Sequence, residues 1–147
     1  MRKNVTDGTV YDDLEKWAKE QGMDADGAIE AAVGEFYKVN LADPRLDGFF
    51  GGVDLDNLKK HQFNFMRYAF SDGRVGKYTG KSIYEGHKRL IEEKGLNATH
   101  FDYVAENLVS TLNGLSVPQP IIDRVVNTVV PLREIFEEAT RDHAADR

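Results

Sequence analysis

The sequence predicts an all-α protein, and three observations carry that expectation. Apolar residues recur at helical spacing through most of the chain, and no stretch keeps the strict alternation of a half-buried strand. Glycine and proline gather mainly between the periodic runs. At 147 residues the chain can close one hydrophobic core, and its 41% apolar and 30% charged residues are ordinary for a globular protein. One domain over residues 1–147 is expected. Its core runs from about 26 to 136, with polar, frayed ends at 1–10 and 139–147.

Each element has its own signature. Ala28, Ile29, Ala32, Val33, Phe36 and Tyr37 form one helical face, which Asp43-Pro44 breaks. Phe49-Phe50-Gly51-Gly52 makes a short apolar corner, and a helix from about Asp54 to Phe70 follows. Residues 71–80 hold three glycines and predict a loop. A short helix then carries Ile83, His87, Leu90 and Ile91 on one face. Phe101, Val104, Ala105, Leu108, Leu112 and Leu115 mark the next. Thr99, three residues before Asp102, predicts a capping box at its start, and Asn113-Gly114 its end. Ile121, Ile122, Val125, Val126, Val129 and Val130 favour strand by propensity. Their pairwise repeat every four residues nevertheless fits one helix face, bent at Pro131.

Composition excludes several functions. The chain has no cysteine, which rules out disulfides, thiolate zinc sites, iron–sulfur clusters and thioether haem attachment. Any metal must be held by histidine, carboxylate or a cofactor. The net charge of −6, with no basic block, argues against a nucleic-acid partner. No apolar run reaches the roughly 20 residues of a membrane helix, and the polar N-terminus lacks a secretory leader, so a cytoplasmic protein is expected. Asn97-Ala98-Thr99 matches a glycosylation sequon but reads as a helix start.

Two histidines sit among apolar residues. His87 shares a face with Ile83, Leu90 and Ile91; His61 shares one with Leu58, Phe65 and Tyr68. Either is open to reading as a hydrogen-bonded core histidine or as a ligand. Zinc would need further protein donors that are not nearby, whereas haem needs only one or two axial imidazoles. Tyr37 and Gln62 place polar groups on apolar faces. Such groups require partners, whether in the backbone or on a bound ligand.

The segments together resemble a group I truncated haemoglobin, most closely the cyanobacterial and algal members with a distal histidine. Phe36-Tyr37, Leu41 to Leu46 and Phe49-Phe50 resemble that family's second helix and phenylalanine corner. Leu58 to Met66 with Tyr68 to Phe70 resembles its distal helix. Tyr78-Thr79-Gly80-Lys81-Ser82 leading to His87 resembles its proximal loop and helix, and His100-Phe101-Asp102 opens the following one. The resemblance covers roughly residues 26–136. It implies a two-over-two helical sandwich around one non-covalent haem b, with His87 as proximal iron ligand and His61 as a distal ligand in the gas-free state. Tyr37 and Gln62 would donate hydrogen bonds to the gas. Phe50, Leu58, Phe65, Tyr68, Tyr78 and Ile83 would line the cofactor.

Four departures from the family pattern stand out. Asp24-Ala25 and Ser71-Asp72-Gly73 replace two glycine pairs that set chain reversals, and an extra segment precedes residue 24. Where some cyanobacterial relatives bond a histidine covalently to a haem vinyl, this chain has Glu134, so that linkage is expected to be absent. The resemblance implies O2, CO and NO as ligands, gated by His61. The expected use is detoxification of reactive nitrogen species through nitric oxide dioxygenation, with an external reductase. Oxygen storage or transport, gas sensing or electron transfer, and a haem-free helical interaction domain stay open, and a monomer is expected.

Overall fold

A computed structural model describes residues 8–46, 48–51, 54–74 and 83–138, with residues 83–86 and 89 described in backbone only. Helices are the only regular elements among them: α1 (Val10–Glu20), α2 (Ala25–Ala42), α3 (Leu55–Phe70), α4 (Ile83–Lys94), α5 (Ala98–Gly114) and α6 (Gln119–Val129). A 3-10 turn over Pro44–Leu46 follows α2. Another, over Val130–Leu132, interrupts the last helix around Pro131 before it resumes at 133–138. Proline removes a backbone donor and crowds the preceding turn, which explains that break.

The helices form two crossed layers. In one layer α2 lies beside α3; in the other α5 lies beside α6; α2 crosses α5, and α3 also meets α6. The apolar faces read from the sequence meet at the crossing. Ile29, Val33 and Phe36 of α2 pack with Met66 and Phe70 of α3, Leu108 and Leu112 of α5, and Ile121, Ile122 and Val125 of α6. Ile29 and Ile122 are each only 1% exposed, and burying such a side chain is worth about 1.5–3 kcal/mol. This is the two-over-two sandwich.

The segment before residue 24 is not frayed from residue 9 onward. Thr9 caps α1 through the Asp12 amide, and the Asp12 carboxylate accepts from the Thr9 amide in return. Val10, Leu14 and Ala18 are buried in the main core. Arg124 of α6 holds this start by donating to the Gly8 carbonyl at 2.7 Å and pairing with Asp13. Expected fraying at 1–7 and 139–147 lies outside the described residues.

Both departures from glycine pairs have physical solutions. Asp24 caps α2 by accepting from the Gly27 amide at 2.8 Å, while the amide of fully buried Ala25 donates to Glu15. After α3, Asp72 (φ 56°) and Gly73 (φ 83°) both take left-handed backbone, and the Gly73 amide closes on the Tyr68 carbonyl at 2.8 Å. Aspartate is one of the few side-chain-bearing residues that tolerates this region. One expectation needs correction. The α5 cap is Asn97, not Thr99, and its reciprocal partner is His100. Asp102 instead pairs with Arg133 at 2.8 and 3.0 Å.

Candidate haem and gas site

The candidate residues lie on α2, α3, α4 and the corner at Phe49-Phe50. Phe50 is half-buried and joins two apolar clusters. The larger is the main core. The smaller gathers Leu46, Phe49, Ile91, Leu96 and Phe136, with Leu90 and Phe101 against it. Among the described residues α3 and α4 do not pack closely against each other. The elements bearing the two candidate histidines are thus held by different clusters.

Tyr37 is the most informative residue on the α2 side. It is 6% exposed, and its ring meets Phe50 edge-on with centroids 6.1 Å apart. Its hydroxyl makes no hydrogen bond among the described residues, and burial alone pushes its pKa well above the ordinary tyrosine value. A buried phenol normally finds a partner. An orphaned donor beside Phe50 therefore fits a ligand arriving there.

On α3, Leu58, Gln62 and Phe65 are half-buried, and Leu58 and Phe65 pack against the main core. Gln62 also makes no hydrogen bond among the described residues. His61 and Tyr68 depart from the sequence expectation. The buried stripe of α3 centres on Met66 and Phe70, which turns His61 and Tyr68 to the exposed side, Tyr68 at 42%. Tyr68 lies close to Gly73 of the turn instead of in an apolar face. Both residues sit seven positions apart on one edge of the helix, and sequence periodicity alone does not say which edge faces the core.

On α4, His87 is half-buried, with its ring edge-on to Phe136 at 5.3 Å. Ile91, one turn on, is buried in the smaller cluster. Lys94 donates to the Gly48 carbonyl at 2.6 Å, tying the end of α4 to the phenylalanine corner. Tyr78 and the side chain of Ile83 lie outside the described residues.

Three polar residues were missed by the sequence reading. Asn40 and Asn107 are 2% and 7% exposed, in the seam between α2 and α5. Asn40 falls three residues after Tyr37 on the same apolar face, a signal available in the sequence. His100 accepts the Asn97 amide at Nδ1 (3.1 Å) and stacks edge-on to Phe49 at 4.8 Å. Burial lowers its pKa below the ordinary histidine value.

No group of three or more metal-binding side chains exists among the described residues. The structure brings Tyr37 and Phe50 together and seats His87 against Phe136, while His61 lies on the exposed edge of α3. The candidate metal donors are imidazoles only, and the nearest apolar residues of α3 are Leu58 and Phe65. That chemistry fits a porphyrin, which brings its own equatorial nitrogens. The layers and the site together define a globin-type fold.

No family model matches the chain, but individual relatives do. The group 1 truncated hemoglobin GlbN of Synechocystis sp. is 44% identical over 98 residues, 67% of this chain and 77% of that protein. That of Tetrahymena pyriformis is 34% identical over 112 residues, 76% and 88% of the two chains. Among solved structures, the 2/2 hemoglobin from Synechococcus sp. PCC 7002, in the cyanomet state and with covalently attached heme, superposes with a TM-score of 0.75. It is 38% identical and spans 89% of this chain and 99% of that one. Chlamydomonas reinhardtii THB1 superposes with a TM-score of 0.69 at 36% identity, over 87% and 95%. The chain belongs to the group 1 truncated haemoglobins. Membership implies a haem cofactor and diatomic gases such as O2 as ligands. No helix among the described residues is long and apolar enough to cross a membrane.

Proposed function

We propose that residues 1–147 form one globin unit that binds a single haem b non-covalently through His87 and captures O2, CO or NO beside Tyr37. When bound, haem would supply the iron that takes the gas, with His87 as the residue that holds it. The observation that carries the reading is the Tyr37 hydroxyl, which is buried beside Phe50 with no partner among the described residues. Tyr37 and Gln62 would donate hydrogen bonds to the gas, and Phe50, Leu58 and Phe65 would exclude water from it. A hydrogen bond to a partly charged acceptor is worth about 1.5–3 kcal/mol. Tyr37→Phe, which keeps the ring volume, is therefore expected to release O2 about tenfold faster or more. An unchanged rate would show that the hydroxyl serves packing only.

His61 competes for the gas position in the ligand-free protein. It is exposed, and among the described residues nothing binds its imidazole, so little holds it away from such a role. The expected spectrum of the loaded protein is low-spin in both oxidation states, becoming high-spin in His61→Leu with faster CO capture. A high-spin ferrous wild type would contradict the assignment. Tyr68, on the exposed edge of α3, covers the cofactor rim instead of a buried face.

Attachment is non-covalent in this reading, since Glu134 is an exposed carboxylate at the position assigned to the vinyl-bonding histidine. Haem should extract fully into acidified organic solvent; a haem adduct on the denatured chain would contradict this. We assign the protein to detoxification, converting NO and O2 to nitrate with one electron from a separate reductase. Reductase-dependent nitrate formation is the readout, and its absence would leave reversible gas binding as the activity.

A further inference from the structure

We infer that the buried Asn40–Asn107 tie between α2 and α5 is a positioning device for Tyr37. It fixes the rotation and height of α2 so that the phenol reaches the gas; this rests on the role proposed above for Tyr37.

The seam between α2 and α5 is otherwise apolar, built from Val33, Phe36, Leu108 and Leu112. Apolar burial is not directional, so it constrains the sliding or turning of one helix on another only weakly. Hydrogen bonds are directional and weaken steeply with distance and angle. Asn107 uses both amide protons of its side chain on α2: Nδ2 donates to Asn40 Oδ1 at 2.9 Å and to Asp43 Oδ2 at 3.1 Å. Thr111 Oγ1 donates to the Asn107 carbonyl at 2.8 Å, one turn further along α5.

Asp43 is held from the other side as well. Arg45 donates to it from its backbone amide (2.9 Å), Nε (3.0 Å) and Nη2 (2.9 Å). The same guanidinium lies 4.1 Å above the Tyr103 ring and reaches Glu106 at 3.3 Å, both on α5. The last turn of α2 is therefore fastened to α5 at two heights, and Tyr37 lies one turn before Asn40.

The tie is a poor device for stability alone. Asn40 Nδ2 and Asn107 Oδ1 have no partner among the described residues, although both residues are more than nine-tenths buried. A buried polar pair with unused hydrogen-bonding capacity stabilises a seam less than an apolar pair of similar shape. What such a pair adds is a single register. Register matters at this point because the next residue on that face carries the unpartnered hydroxyl. A shift of a fraction of a helical turn would take it beyond hydrogen-bonding distance of a ligand.

The test compares haem-loaded wild type, Tyr37→Phe, Asn107→Leu and the double variant Asn40→Leu/Asn107→Leu. Each is measured as its CO complex by the C–O stretching frequency, which falls when a donor reaches the ligand. O2 dissociation and thermal unfolding are measured alongside. Tyr37→Phe should raise the stretching frequency. Both asparagine variants should raise it part of the way and broaden the band, with O2 released about threefold to tenfold faster as the hydrogen bond is partly lost. The double variant leaves no orphaned amide, so it should melt at or above the wild-type temperature while keeping the altered band. A purely structural tie would move the melting temperature and leave the band alone. If Tyr37→Phe shifts the band but the double variant keeps the wild-type band and rate, the positioning role is overturned and the role of Tyr37 stands. If Tyr37→Phe also leaves both unchanged, the two assignments fall together. Should Asn107→Leu fail to fold, the double variant decides.

Discussion

The frame built by α1, α2, α3, α5 and α6 and the segment built around α4 are held by different means. The frame buries a continuous core that includes Ile29, Phe36, Phe70, Leu112 and Ile122, and adds helix caps at Thr9, Asp24 and Asp54. Among the described residues, the α4 region packs into a smaller cluster, Leu46, Phe49, Ile91, Leu96 and Phe136, and Lys94 ties its end to Gly48. In the proposed reading the gas site lies where the frame meets the smaller cluster that holds the described part of α4. A cofactor seated at that border would be a structural part of the second region and only a guest of the first. Haem binding would then stabilise the docked state of α4, as a ligand stabilises the state that binds it.

The largest expected effect breaks the frame. Ile122→Ala removes a side chain that is 1% exposed, and it should cost about 2–5 kcal/mol, with or without haem. Ile91→Ala is the matching change in the smaller cluster, where Ile91 is 3% exposed. It should weaken haem retention clearly while lowering haem-free stability by less than its frame counterpart. Equal losses in the haem-free protein, measured by denaturant unfolding, would show that the two regions do not differ.

Arg124→Ala sharpens the comparison from the other end. It removes the ties to Gly8 and Asp13, and it should destabilise the docked α1 by about 1–3 kcal/mol. Amide exchange should rise across residues 10–20 and leave α4 protection unchanged.

The smallest effect concerns acid. His100 accepts the Asn97 amide only when Nδ1 is unprotonated, and burial lowers its pKa. Its folded pKa therefore lies below the unfolded value of about 6.5. The unfolded chain takes the proton first, so stability is constant above that pH and falls as pH drops through the window down to the folded pKa. The loss should be about the worth of one helix cap, 0.5–2 kcal/mol. His100→Gln keeps an acceptor at the cap and should flatten this component of the pH profile. A profile identical to wild type would assign the acid response to another group.

Much of this contrast was legible in the sequence, because helical periodicity reports buried faces directly. The faces of α2, α5 and α6 and the break at Pro131 follow from apolar spacing and backbone chemistry. What periodicity hides is the edge of a stripe. His61 and Tyr68 fall within one helical step of the buried face of α3, and tertiary packing turned them outward. Capping was misread for a related reason: Thr99 and Asn97 are both good caps, and only the fold shows that Asn97 takes the extended backbone while Asp102 is drawn to Arg133. Asn40 was invisible as a partner because its counterpart, Asn107, lies 67 residues away. The positions 37, 61, 62 and 87 were singled out by polar groups among apolar neighbours, and the family pattern gave them roles.

The central claim is that His87 holds a haem at the border between the two regions. The most direct measurement is the visible spectrum of haem-loaded wild type and His87→Ala, ferric and ferrous, before and after gel filtration. The wild type should keep an intense Soret band through the column. His87→Ala should lose most of its haem, with α4 amides exchanging freely and the frame still folded. A His87→Ala protein that carried haem through the column with an unchanged spectrum would contradict the account.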